Sequence, residues 1–355
     1  MKKSLHSAIL IVLAMAFACP AWAAVSGTCA NCHTMHNSQG GSSMALGDPS
    51  PDAGFPSLLM NDCVGCHTSA TDWQDPVTGA PIVYNTTEPS TYLAGGNFYW
   101  VKTDDAKGHN VFADNPEDTL DKAPGDVGFS ACMSGCCHAN IHEDVTYTGQ
   151  IRQGCTKCHM MSTAGDQKGY HHADDSNLVV GSSVGDTDGY YRFLSGHYSG
   201  EGHGVCGIED SDWQHTKSAS DHNEYLGIVG AHGASASFSA LGHTMTAYCC
   251  GCHGNFHIQD SGGQWVRHPS DAVLPTAGEY AAYTSYNPVV PVARPSLTAV
   301  SSTVTPGTDM VMCLSCHVPH GSPNDDLLRW DYNGMVAGGG GDDGTGCFVC
   351  HTEKD

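Results

Sequence analysis

The chain has 355 residues, long enough for a large core, yet it holds 43 glycines and lacks apolar segments of ten or more residues with helical period. Its 14 Lys and Arg stand against 37 Asp and Glu, a formal net charge of −23. That balance argues against a nucleic-acid partner, whose phosphates it would repel, and fits an exposed protein with cationic or metallic partners.

Residues 1–23 read as a secretory signal peptide. Lys2 and Lys3 are basic, Ala8 to Ala18 form an apolar run, and Ala21-Trp22-Ala23 suits cleavage. The run is too short for a permanent span, and no later segment offers a membrane span. The mature part then opens on TCANCHTMH, with Cys29, Cys32 and His33 followed by His36. The same Cys-x-x-Cys-His spacing returns at Cys63, Cys66 and His67; Cys155, Cys158 and His159; Cys249, Cys252 and His253; Cys313, Cys316 and His317; and Cys347, Cys350 and His351. Composition alone would give far less than one copy.

Six copies are the signature of covalent haem c attachment. Two thiols one helical turn apart add to the two vinyl groups of one porphyrin, and the next residue sets an imidazole under the iron. A zinc ribbon also uses cysteine pairs, but it has no need of a histidine after each second cysteine. Between the second and third copies, CMSGCCH carries a longer variant. Cys132 and Cys137, followed by His138, form a Cys-x4-Cys-His loop that can still reach both vinyls, giving seven haem c groups in all. Cys136, Cys206 and Cys250 are left over, and two of them can pair in an oxidising compartment.

The connecting segments carry few element signals. Asn85-Thr86-Thr87 has the form of a glycosylation triplet, and the Ser/Thr-rich stretch 298–308 is a second weak sugar signal. Tyr190 to Leu194 is the clearest strand-like run of the long motif-free stretch 160–248. Residues 287–297, NPVVPVARPSL, read as extended polyproline-type chain. DLLRW at 326–330 starts a short helix, and 338–346 is a glycine-rich loop. No clean break divides the chain, so 24–355 is expected to be one continuous domain wrapped around a row of stacked haems. The expected fold is mostly irregular, with few short helices at the motifs and minimal strand; the porphyrins supply the missing core.

Histidine is in surplus. After the seven proximal ligands, 14 remain in the mature chain for seven irons, which favours bis-histidine iron with no open face, suited to electron transfer. His36 and His320 stand three residues after a proximal histidine, and His142 and His257 four after; each projects from its own motif turn and suits a neighbouring haem. His109, His172 and His268 complete the candidate set of second ligands, with His171, His197, His222 and His243 as alternates. For the last two, a purely structural loop histidine is an equal expectation.

The segments CANCHTMHNSQGG, GGNFYWVK and KGHN (95–110), CHGNFH with WVRHP (252–269), CLSCHVPHGS with LLRWDY, and the terminal CFVCHTEKD occur in this order over nearly the whole mature chain. In these the chain resembles the filament-forming outer-surface multihaem c-type cytochromes of metal-reducing bacteria, the cytochrome S and E group. The resemblance implies an extracellular or cell-surface homopolymer with a continuous haem row. It further implies that His36 ligates the iron of His317 in the adjacent subunit. Implied partners are external electron acceptors and cell-surface electron-transfer proteins. The chain departs from those relatives in its count of seven and in its motifs around 132–159. Rival expectations are a monomeric periplasmic or secreted shuttle and a multihaem reductase. The latter needs an open iron face, often with Cys-x-x-Cys-Lys, which is absent here; no enzyme activity is expected.

Overall fold

The computed structural model describes residues 27–34, 38–40, 42–44, 46, 55, 58–112, 115, 123–125, 141, 154–159, 191–194, 204–229, 242–254, 256, 260–261, 264–265, 267–339 and 344–354. Residues 1–23, His36, Cys132, Cys136, Cys137, His138, His142, His171, His172, His197 and His257 lie outside them.

Regular structure is sparse, as a glycine-rich chain without long apolar periods requires. The described α-helices span four to six residues: Cys63–Cys66, Tyr99–Thr103 and Met245–Cys250. Two of them begin at a capping side chain. Asp62 caps the first by accepting from the Gly65 amide, and Thr244 caps the third by accepting from Ala247. The strands are two or three residues long. Five of them form one mixed sheet in the order Gly207–Ile208, Glu224–Leu226, Ala293–Arg294, Met310–Val311, Ala272–Val273. Ala293 pairs in parallel with Tyr225 and antiparallel with Met310, so the polyproline-like segment enters the middle of the sheet through one dipeptide. Pro291 and Pro295 flank that dipeptide and keep the pairing short.

The described apolar residues gather in three small clusters rather than one core. Phe98, Val101, Val111 and Phe112 form one, with Val64 and Cys155 at its edge. Tyr191, Val205, Tyr225, Met245, Met310 and Met312 form another beside Tyr248 and Cys249. Leu274, Tyr283, Tyr286, Val290 and Val292 belong to the third, which Cys350 borders. Every cluster therefore ends at a motif cysteine. A porphyrin attached there would continue the apolar surface that the side chains begin.

A buried charge network ties the sheet to the loop that follows it. Arg294 donates to Glu224 at 2.6 Å, to Asp309 at 2.6 Å and to the Ser301 carbonyl at 3.1 Å. Glu224 also accepts from the Ser301 amide at 2.7 Å.

Three local expectations are corrected. Tyr191–Phe193 is a 3-10 turn, with Arg192 and Phe193 at φ 48° and 59°. Distant groups impose it: the Arg192 amide donates to Glu209, and its carbonyl accepts from the His159 ring. DLLRW makes only the single turn Asp325–Leu327 before Leu328 becomes extended. Asn85 is 3% exposed, and its amide is locked to Asn97 at 2.7 Å and to the Asp72 carbonyl at 2.9 Å, so it is closed to sugar.

Candidate haem-binding site

The six described motifs close the same backbone loop. The amide of each motif histidine donates to the carbonyl of the first cysteine: His33 to Cys29 at 2.8 Å, His67 to Cys63 at 3.0 Å, and His159 to Cys155 at 2.9 Å. His253 bonds Cys249 at 3.0 Å, His317 bonds Cys313 at 3.1 Å, and His351 bonds Cys347 at 2.9 Å. One such turn places both thiols and the imidazole at one end of a single loop. Among the described residues no three His, Cys, Asp or Glu side chains converge as a bare ion would require. The arrangement fits two thioethers and an axial imidazole per group, and does not fit a zinc ribbon.

The rings are oriented as iron ligands need to be. His67 Nδ1 lies 2.7 Å from the Pro81 carbonyl, His159 Nδ1 2.8 Å from Arg192, His253 Nδ1 2.7 Å from Pro124, and His317 Nδ1 2.8 Å from Asp326. A backbone oxygen can only accept, so each Nδ1 carries the proton and each Nε2 is left with its lone pair for a metal. The same signature marks His109, 2.6 Å from the Pro319 carbonyl, and His268, 3.1 Å from Pro269. Four of these six acceptors are proline carbonyls.

Ring pairs follow. His109 faces His253 with ring centres 6.1 Å apart, His320 faces His159 at 5.8 Å, and His268 faces His351 at 6.3 Å. Two iron–nitrogen bonds of about 2 Å, plus about 1 Å from each nitrogen to its ring centre, require about 6 Å across one iron. All three pairs meet that span. Burial holds the His67, His109 and His159 rings toward the neutral form, and pushes His320 down to about 3. Neutral imidazole is the form that ligates.

His109 and His320 are positioned as one unit. Pro319-His320-Gly321 threads between Gly95-Gly96 and Gly108. The Asn97 amide donates to the Gly321 carbonyl, His320 to Gly95, and Ser322 to Lys107. Cβ atoms at Gly96, Gly108 or Gly321 would overlap the opposing chain. Phe98 stacks on the His320 ring at 4.7 Å. Segments 95–110 and 316–322 are thus brought together at one crossing.

The motifs also touch one another in order. Cys63 meets Cys155 and Cys249 meets Cys313 side chain to side chain, and the Tyr248 hydroxyl donates to the Cys158 carbonyl at 2.9 Å; Cys32 lies within electrostatic reach of Cys66, and Cys316 within reach of Cys347 and Cys350. The described motifs form one unbroken row. His317 lies exposed, and among the described residues no histidine ring faces it. The alternates divide. His222 is wholly buried, with Nδ1 3.1 Å from the Ser218 carbonyl, Nε2 3.2 Å from Glu224 and its face on Tyr286 at 3.5 Å, so it is a core residue. His243 sits at φ 70° with Nδ1 3.2 Å from the Gly204 carbonyl. Cys206 and Cys250 are buried free thiols.

Sequence reasoning missed the Nδ1 acceptors and Glu279, which faces His351. Only the adjacent His268-Pro269 pair hints at the first.

The comparisons with known proteins agree with this geometry. Residues 305–355 match the doubled CXXCH motif family. The C-type cytochrome OmcS of Geobacter sulfurreducens is 26% identical, over 85% of this chain and 78% of that protein. Among solved structures, the outer membrane cytochrome S filament from the same organism covers 87% of this chain and 85% of its own, with a TM-score of 0.54 at 20% identity. The OmcS nanowire structure covers 86% and 84%, with a TM-score of 0.50 at 21% identity. Motif turns, loop-dominated fold and these similarities converge: the chain is similar to the OmcS-type multihaem c-type cytochromes over most of its length, and its motifs fit haem c.

Proposed function

We propose that this protein is an extracellular electron-transfer cytochrome. Its mature chain, 24–355, holds seven bis-histidine c haems as one domain and polymerises into a conducting filament. The observation that carries the reading is the set of ring pairs His109/His253, His320/His159 and His268/His351, each spaced for one iron, along an unbroken row of motifs. Iron held on both faces by imidazole has no site for substrate and exchanges electrons only, so no catalytic residue is assigned.

The Cys132/Cys137/His138 site would carry the seventh group. His142, His172 and His257 are further second ligands in this reading. His36 serves the His317 iron of the next subunit in this reading. A coordination bond across the junction would also fix subunit register.

The test is electron microscopy of the secreted protein and of His36→Ala, with intact mass for haem number. Wild-type filaments with a regular repeat, seven haems, and a variant that keeps its haems but disperses are the expected results. Long filaments from His36→Ala would remove the junction role. Dispersed wild-type particles at every salt and concentration would favour a soluble shuttle, and a mass for six haems would remove the Cys132/Cys137 site.

A further inference from the structure

The imidazoles that fit as ligands differ in what holds their far nitrogen. His67, His109, His159, His253, His268 and His317 each place Nδ1 against a backbone carbonyl. His351 does not. Its Nδ1 lies 3.4 Å from Oε1 of Glu279, whose side chain is only 10% exposed. The second oxygen of Glu279 is buried without a partner. A neutral carbonyl only orients an imidazole. A carboxylate also draws on the Nδ1 proton, gives the ring anionic character and makes Nε2 a stronger donor.

The carboxylate is placed there by the fold. Glu279 lies in the short helix Gly278–Ala282, and its backbone carbonyl accepts from the Thr352 hydroxyl at 2.7 Å, one residue beyond His351. The Tyr280 ring stands edge-on to His351 at 5.2 Å. The only cation in reach among the described residues is Lys354, 3.8 Å from the same oxygen and mostly in solvent, where its charge is screened. Glu279 also meets the Tyr280 side chain, a neutral partner that leaves the carboxylate's charge in place beside the ring.

We infer that Glu279 is a tuning residue that makes the iron site of His351 more reducing than the carbonyl-oriented sites of the described row, setting an energy step at the row's end. The inference rests on the ligation of iron by His351 proposed above. Stronger donation stabilises ferric iron, so this site takes up an electron less readily than its carbonyl-oriented neighbours. Lys354 opposes the effect by competing for Oε1.

The test compares haem-loaded wild type, Glu279→Gln, Lys354→Gln and His351→Ala by intact mass, electron paramagnetic resonance and spectroelectrochemical titration. Glu279→Gln keeps the shape and an acceptor oxygen but removes the charge. It is expected to retain every haem in the low-spin state while one low-potential component of the titration, one haem's share of the absorbance change, moves upward. Lys354→Gln is expected to move that component the opposite way. A Glu279→Gln titration superimposable on wild type, with haems intact, overturns the tuning role. Loss of a haem or a new high-spin signal in Glu279→Gln overturns it too, because Glu279 would then be a structural prop. His351→Ala reports on the underlying reading separately: one iron must become high-spin, and a fully low-spin spectrum would sink the ligation itself.

Discussion

A single methyl group at Gly108 should disturb two irons at once. Gly108 is extended, with φ 178°, so alanine meets no backbone strain there and the effect is purely steric. The added Cβ overlaps the His320 carbonyl and a Val101 methyl, and falls 2.9 Å from Gly321 Cα. Restoring ordinary contact demands a retreat of about 1 Å by one of the two chains, at an overpacking cost of about 1–3 kcal/mol. Both chains carry a ring that fits an iron: His109 follows Gly108 directly, and His320 owns the displaced carbonyl. Metal–ligand bonds tolerate only about 0.2 Å, so a shift of this size detaches a ligand rather than stretching it. Gly108→Ala is therefore expected to convert up to two haems, those of His253 and His159, to a high-spin or ligand-exchangeable state. Total haem should stay unchanged. Electron paramagnetic resonance and cyanide titration of the oxidised protein read this directly. Gly338→Ala is the control: its Cβ meets nothing within 4 Å, and φ 74° costs about 1 kcal/mol without touching a ligand. A fully low-spin Gly108→Ala protein that binds no cyanide would refute the claim that this crossing positions both histidines.

Two predictions concern the scaffold. Arg294→Met leaves Glu224 and Asp309 buried without their cation and should cost about 3–5 kcal/mol in denaturant unfolding, with the triple variant Arg294→Met/Glu224→Gln/Asp309→Asn recovering most of it. A loss under about 1 kcal/mol in the single variant would contradict that network's role. Asp271 is wholly buried and burial raises its carboxyl to about 7. An acid raised above its unfolded value of about 3.9 binds more protons folded than unfolded, so its contribution to stability falls as pH rises from about 4 to 7. Asp271→Asn should match wild type near pH 4 and exceed it by up to about 4 kcal/mol at pH 8, as judged by melting curves; parallel pH profiles would count against it.

How far the sequence speaks depends on the range of the interaction. The motif turns are legible because five consecutive residues close them, and the loop-dominated architecture follows from glycine content and absent periodicity. What joins the turns is long-range and silent in the sequence. His109 takes its orientation from Pro319, 210 residues away, and His320 projects from one motif turn to face the ring of another. His222 looks no different from a ligand until Ser218, Glu224 and Tyr286 occupy both nitrogens and one face. The turn at Tyr191–Phe193 reads as strand because Glu209 and His159, which bend it, are distant. The two-residue strands carry no pattern of their own; their partners lie up to about 70 residues off along the chain.

The same division explains the economy of the fold. A chain that wraps a row of porphyrins need not bury a continuous core of its own, and its three apolar clusters each stop at a motif cysteine. Its specificity is invested in rings instead. Backbone carbonyls fix the tautomer and direction of six imidazoles, a glycine crossing fixes two of them relative to each other, and one carboxylate singles out a seventh. Backbone oxygens need no particular side chain to act, so such orientation survives wide sequence change. That accounts for a shared fold at 20% identity. The glycines and Glu279 are different, because a substitution there changes a ligand's position or its charge. It is at those positions, rather than in the apolar clusters, that substitution should alter electron flow while leaving the protein folded.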